Sequence, residues 1–196
     1  MNSFMTQMIL IQVFLKQKIL ERTLLLPMSI VISISLLTTI AHAHINASHQ
    51  SGSVGFAGQH AGMNFEGKFE RWQAKLVLPP LSNPNITATF YLNSARTGDS
   101  IYDSTLPEYD WFDVENHALG KFVSTNIEVI EEGYQVWGDL TLKNITHPTS
   151  FMLTDNGDKL NANFDINRLM YQIGLESDPD AEWVNKTISI SMVIDK

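Results

Sequence analysis

The chain has 196 residues, 44% of them hydrophobic, which is enough for one domain with its own core. It contains no cysteine, so disulfides, thiolate chemistry and iron–sulfur clusters are excluded. The formal net charge of −8 argues against nucleic acid or an anionic membrane surface as a partner, because both attract positive patches.

The first 43 residues have the order of a secretory signal peptide. Lys16, Lys18 and Arg22 precede an apolar run from Leu24 to Ile40. The run ends in Ala41-His42-Ala43, whose small residues suit a cleavage site. We therefore predict a signal peptide over residues 1–43, a mature domain over residues 44–196 and a periplasmic location. The run is short for a membrane span, and an uncleaved anchor is the alternative.

The mature domain is predicted to be all-β. Within Ser53–Leu78, large apolar residues recur at every second position with glycines between them, which is typical of strands that bend. Residues 44–50 are predicted as a loose start. The remaining alternation and turn signals predict about eight strands: Gly52–Gln59, Met63–Leu78, Ile86–Asn93, Lys121–Glu131, Tyr134–Lys143, Thr149–Leu153, Leu160–Ile166 and Thr187–Asp195.

One segment, Thr97–Gly120, interrupts the alternation. Asp99 and Asp103 are candidate helix caps there, so we predict one or two short helical turns that cover one end of the sheet. Strands at this spacing indicate a sandwich or an up-and-down barrel. An eight-stranded barrel would enclose room for one small ligand.

Several ordered motifs resemble the YceI-like family of exported polyisoprenoid-binding proteins. The matching pieces are Ser53–Phe56, His60–Gly62, Phe65–Phe69, Thr97–Asp99, Asp110–Val114, Phe122 with Ser124, Gly138–Leu142, Thr146–Pro148 and Phe164–Arg168. Each is weak alone, but the ordered set extends over most of Ser53–Lys196. The chain departs from the pattern at Asn144, where glycine is usual, and in the loop Leu169–Trp183.

The resemblance implies an antiparallel eight-stranded lipocalin-like barrel with a short helical insertion, located in the periplasm. It also implies a non-catalytic carrier of an isoprenoid chain, such as a polyprenyl lipid or a quinone, with no other cofactor. We expect tunnel-lining positions at Val54, Phe56, His60, Phe65, Phe69, Trp72, Phe90, Trp111, Phe112, Phe122, Leu140 and Phe164. Without the resemblance, an ordinary packed core would be the better interpretation of these aromatics.

Three polar residues are candidates for contact with a ligand head group. Arg71 and Arg168 carry guanidinium groups, which match phosphate geometry. For Arg168 we favour the alternative, an ion pair with an acidic residue of this chain. His60 could donate to a quinone carbonyl or a phosphate, and a structural role at the end of a strand is an equal alternative.

Two further hypotheses differ from the carrier in kind. The first is an accessory quinone-handling or stress-response module of a membrane b-type cytochrome. The second is a copper enzyme, since cleavage after Ala43 would leave His44 at the N-terminus, as in the copper brace of lytic polysaccharide monooxygenases. A second histidine for such a brace is not evident in the sequence. A homodimer and the cytochrome are candidate partners.

Overall fold

The computed structural model describes residues 44–196, so the predicted leader lies outside the described residues. Within this range the chain forms eleven strands, one short α-helix and two 3-10 turns. The strands are β1 (Ile45–Ser48), β2 (Gly52–His60), β3 (Met63–Phe69), β4 (Trp72–Val77), β5 (Asn85–Tyr91), β6 (Ala95–Arg96), β7 (Leu119–Ile130), β8 (Gly133–Leu142), β9 (Ile145–Asp155), β10 (Lys159–Asn167) and β11 (Thr187–Asp195). Helix α1 covers Ser100–Thr105, and the 3-10 turns cover Leu92–Ser94 and Arg168–Tyr171.

All eleven strands belong to one sheet, in the order β1-β4-β5-β7-β8-β9-β10-β11-β2-β3-β6, and all pairings are antiparallel. β3 and β4 stand near opposite ends of this order, yet Glu70 and Arg71 alone separate them in sequence. The Glu70 N–H donates to the carbonyl of Ser94, and the Tyr91 N–H donates to that of Arg71. The sheet therefore curls until its two ends meet at this bend.

The antiparallel all-β prediction is confirmed, but the described strands number eleven where about eight were predicted. The segment Met63–Leu78 divides into β3 and β4 at the bend. Ala95–Arg96 adds a short strand beside β3. Residues 45–48, predicted as a loose start, pair with β4, because Ile45 and Ala47 contribute to the core. Four residues are too few to show an alternation in the sequence.

Register across the curled sheet places large apolar side chains in rows on its inner face. Phe164 in β10 lies opposite Ile190 in β11, and Ile190 lies opposite Phe56 in β2. Phe56 in turn faces Gly67 in β3, where a Cβ atom would lie 2.3 Å from the Phe56 Cζ. The Phe56 ring thus occupies the space above Gly67, which only a residue without a side chain leaves open.

The helical insertion is confirmed between β6 and β7. Asp99 caps α1, and its carboxylate accepts hydrogen bonds from the N–H groups of Ile101 and Tyr102. Asp103, also predicted as a cap, instead accepts from the N–H and hydroxyl of Thr97 and ties the helix back to the chain before it. No helix within residues 44–196 has the length and apolar character that crossing a membrane requires.

Candidate functional site: an apolar tunnel

An apolar chamber of about 100 Å³ lies against the inner face of the sheet. Its wall is built by side chains of β2, β3, β5, β8, β10 and β11, together with residues from the helical insertion and from the loop after β10. Among residues 44–196, Arg168 is the one member of this wall that is not apolar. This inner chamber can therefore hold an apolar group, and it offers few partners to a polar one.

An outer chamber of about 280 Å³ adjoins it and opens to the surface. Helix α1 supplies Ile101, Tyr102 and Thr105 to its wall. The loop before β11, residues 172–186, supplies Ser177, Asp178 and Trp183. At the rim, Ile101 is 70% exposed and Trp183 is 61% exposed. Large apolar side chains thus border the opening.

The two chambers share five wall residues, which are Phe56, Phe65, Leu106, Trp111 and Val184. The two chambers are therefore adjacent, and we call the pair the tunnel. Together their volumes reach the lower end of the range of about 300–1,000 Å³ that is usual for small-ligand sites. The tunnel suits a small apolar ligand, or one end of a longer chain.

Ten of the twelve predicted lining residues border this tunnel. Val54, Phe69, Phe90, Phe112, Leu140 and Phe164 line the inner chamber, His60 lines the outer chamber, and Phe56, Phe65 and Trp111 line both. Trp72 and Phe122 lie in the packed core outside both chambers. Trp72 is 2% exposed, and Phe122 packs against Phe151 with 5.3 Å between ring centroids. Trp72 and Phe122 are therefore part of the packed core, and they do not line the tunnel.

Arg168 is 1% exposed and is held entirely by the protein. Its Nη2 lies 2.7 Å from the Asp178 Oδ2, which is the kind of ion pair that the sequence analysis favours for this residue. The remaining donors of the guanidinium reach backbone carbonyls of the loop, at Ile173, Gly174, Val184 and Asn185. Every N–H of Arg168 is thus used, and no donor is left for a head group.

Asp178 completes this anchor from the other side. Its carboxylate accepts hydrogen bonds from the N–H groups of Glu182, Trp183 and Val184 in addition to the bond from Arg168. Burial by itself raises the pKa of Asp178, but these four donors outweigh that effect and hold the pKa below its ordinary value. The carboxylate is therefore ionised, and it fixes the loop that forms one wall of the outer chamber.

Arg71, the other predicted head-group residue, lies outside both chambers. It is exposed at the bend between β3 and β4, and its guanidinium carbon stacks 4.2 Å above the ring of Tyr91. Arg71 thus follows the lining residue Phe69 by two positions, but its side chain is held on the surface by Tyr91 and belongs to neither chamber.

His60 and Tyr102 form a polar pair in the wall of the outer chamber. The His60 Nδ1 lies 2.7 Å from the Tyr102 hydroxyl, and the two ring centroids are 5.5 Å apart. His60 sits at the end of β2, where it pairs with Val184, while Tyr102 lies on α1. The pair therefore connects the sheet, the helix and the loop around the mouth.

Sequence reasoning missed the wall residues that lie in irregular segments. Tyr102, Leu106, Trp183 and Val184 belong to the helical insertion and to the loop before β11, where no periodicity shows which side chains face inward. Ile188 and Ile190 were also missed as lining residues. The alternation along β11 would have indicated these two, because they share a face with the neighbouring aromatic positions.

The copper hypothesis depends on His44, which is exposed directly before β1. Among residues 44–196, no three or more histidine, aspartate or glutamate side chains are grouped so that they could hold a metal ion. The tunnel, in contrast, is a formed site.

Solved structures share this fold. BcnA of Burkholderia cenocepacia superposes with a TM-score of 0.68 at 21% identity, over 76% of this chain and 98% of BcnA. A polyisoprenoid binding domain from Saccharophagus degradans, implicated in plant cell wall breakdown, gives a TM-score of 0.58 at 12% identity, over 78% of this chain and 97% of that domain. At these identities the likeness establishes the fold.

Curated relatives and a family model give the sequence comparison. A UPF0312 protein of Photorhabdus laumondii is 30% identical over 112 residues, which are 55% of this chain and 58% of that protein. A UPF0312 protein of Pseudomonas putida is 33% identical over 96 residues, 48% of this chain and 47% of the relative. The chain thus matches about half to three-fifths of the length of these relatives. The model of the YceI-like domain matches residues 44–195, and the chain therefore belongs to the YceI-like family.

Proposed function

We propose that this protein is a non-catalytic carrier of an isoprenoid lipid in the periplasm, with a polyprenyl lipid or a quinone as its cargo. The observation that carries the proposal is the apolar tunnel, whose inner chamber has, in the part of the chain that the structure describes, a wall of aromatic and aliphatic side chains with Arg168 as the exception. The structural neighbour from Saccharophagus degradans, described as a polyisoprenoid binding domain, supports the same class of ligand.

The physical basis of such binding is burial of apolar surface. Each Å² of apolar area removed from water contributes about 25 cal/mol, before the costs of association are subtracted. A prenyl chain consists of such surface, so a wall of this composition needs no hydrogen bond to hold the tail. The volumes of the two chambers suit a short prenyl chain, or one segment of a longer one.

The test is to identify what the protein carries. The chain is purified from the periplasm of a producing cell, extracted with organic solvent, and the extract is analysed by mass spectrometry. We expect a prenyl compound in molar proportion to the protein, and its recovery from the periplasmic fraction tests the location as well. An empty protein that also takes up no added quinone or prenol would refute the carrier function.

A further inference from the structure

Most polar groups in the wall of the outer chamber are already used by the protein. The Thr105 hydroxyl donates to the Ile101 carbonyl, and the Thr97 hydroxyl donates to Asp103. The Ser177 hydroxyl donates to Asp110, and Asp178 is occupied by Arg168 and three N–H groups. The three hydroxyls therefore have no hydrogen left to donate to a ligand and keep only acceptor lone pairs, and the carboxylate of Asp178 is occupied.

His60 and Tyr102 are different, because after their mutual hydrogen bond is made the pair still has one donor and one acceptor available to a ligand. If the Tyr102 hydroxyl donates to Nδ1, the neutral ring has Nε2–H as a donor and the phenolic oxygen remains an acceptor. If Nδ1–H donates, the phenolic hydrogen is the donor and Nε2 the acceptor. In both tautomers the pair offers one donor and one acceptor at the mouth of the tunnel.

The charges around this chamber oppose an anionic ligand. No lysine or arginine belongs to the wall of the outer chamber as residues 44–196 form it, and its one charged member is the carboxylate of Asp178. Exposed Glu176 and Glu182 adjoin wall residues in sequence, and so does Arg96, whose Nη1 donates to the carbonyls of Asn93 and Ala95. Arg168 has every donor engaged. A phosphate placed here would lose water and gain no cationic partner.

We infer that the outer chamber selects a neutral, hydrogen-bonding head group, such as a hydroxyl or a quinone carbonyl, and discriminates against a phosphate. The inference rests on the proposed isoprenoid carrier and adds the chemistry of the end that stays near the mouth. The tail supplies the affinity through burial, while His60 and Tyr102 orient the polar end.

The test compares two probes that share one tail, geranylgeraniol and geranylgeranyl phosphate. Each is titrated into the full chain while tryptophan fluorescence is followed, since Trp111 and Trp183 both line the tunnel. We expect the alcohol to bind at least about tenfold more tightly, a ratio that corresponds to one unpaired polar contact. Equal affinity, or tighter binding of the phosphate, would overturn this inference and leave the carrier function standing. If neither probe binds, both fail.

Two variants assign the effect to the chamber. Tyr102→Phe keeps the ring and removes the hydroxyl, so affinity for the alcohol should fall severalfold while affinity for the hydrocarbon squalene stays unchanged. Thr105→Lys introduces a cation into the wall and should raise affinity for the phosphate. Thr87→Lys, on an exposed position of β5, makes the same change in charge away from the tunnel and is the matched control. If the two lysine variants respond alike, the effect is long-range and the inference fails.

Discussion

Arg168 and Asp178 form an ion pair in which both side chains are buried, with 2.7 Å between Nη2 and Oδ2. The pair joins the start of the loop after β10 to its middle, and the bonds from Arg168 to Val184 and Asn185 extend the connection to the residues before β11. The guanidinium also lies 5.8 Å from the ring of Trp111, which lines both chambers. The anchor of the loop and the shape of the tunnel thus depend on the same residue.

Removing Arg168 should cost far more stability than removing Arg71. In Arg168→Ala the carboxylate of Asp178 and several loop carbonyls lose their partner while they remain buried, and the loss of one member of such a pair costs about 3–5 kcal/mol. Arg71→Ala removes an exposed cation–π contact with Tyr91. The loss of such a contact typically costs about 0.5–1 kcal/mol of stability. Urea denaturation of both variants measures the free energy of unfolding. Equal losses would show that the buried anchor contributes no more than a surface contact.

The depressed pKa of Asp178 predicts how stability depends on pH. In the folded chain this carboxyl binds a proton less readily than in the unfolded chain, so the unfolded state takes up protons first as the pH falls. The stabilising contribution is therefore complete above the ordinary aspartate pKa of about 3.9, and it is lost as the pH falls through the folded-state value.

Asp178→Asn removes this contribution and provides the measurement. The difference in unfolding free energy between the wild type and Asp178→Asn should be largest near neutral pH and should shrink below about pH 4. Asp103, Asp110 and Asp155 also have lowered pKa values, so the wild type will lose further stability in acid. Asp180→Asn makes the same substitution at an exposed position of the same loop and is the control. A constant difference across the pH range would contradict the assignment to Asp178.

Strand periodicity explains which parts of the site could be predicted from the sequence. Phe65, Phe69 and Phe164 alternate with polar or small residues, and a period of two determines which side chains share a face, so these positions were found. Tyr102 and Trp183 lie where the chain has no period, and their approach to the mouth depends on long-range contacts, such as the bond from the Ala61 N–H to the Trp183 carbonyl. No pattern within their own segments carries that information.

Two other features of the structure, the partner of Arg168 and the positions of Trp72 and Phe122, also depend on long-range contacts that the local sequence does not show. The sequence indicated that Arg168 would pair with an acid, but many acidic residues were available, and the position of Asp178 follows from the path of the loop. Trp72 and Phe122 alternate as lining residues do, yet they face parts of the interior that other side chains fill. Alternation distinguishes inside from outside, and it does not distinguish a filled interior from a hollow one.

Filling the tunnel at the wall that its two chambers share should abolish ligand uptake without unfolding the domain. Leu106 follows α1 and lines both chambers, so Leu106→Trp would replace an aliphatic side chain with a bulky indole ring in the wall that they share. We expect loss of geranylgeraniol binding in a fluorescence titration with a largely preserved melting temperature. Leu119→Trp makes the same change at a partly exposed position outside the tunnel and should bind as the wild type does. Binding by Leu106→Trp at wild-type affinity would place the ligand elsewhere.

The close approach of Phe56 to Gly67 gives the last prediction. In Gly67→Ala the new methyl group would lie 2.3 Å from the Phe56 Cζ and 2.9 Å from the Arg96 carbonyl oxygen, so the ring must move toward the chambers that it lines. Overpacking of this kind costs about 1–3 kcal/mol, and the displaced ring should also weaken ligand binding.

A second substitution tests that mechanism. Phe56→Leu removes the ring, so the double variant Gly67→Ala/Phe56→Leu should be more stable than the sum of the two single effects implies, and a double-mutant cycle measures this coupling. Gly55→Ala is the control on the neighbouring strand, since its nearest contact is the Ser191 hydroxyl and not an aromatic ring. Additive losses in the cycle would show that the Phe56 ring is not what requires glycine at position 67. A favourable coupling together with restored uptake would show that the glycine preserves the shape of the tunnel through the position of that ring.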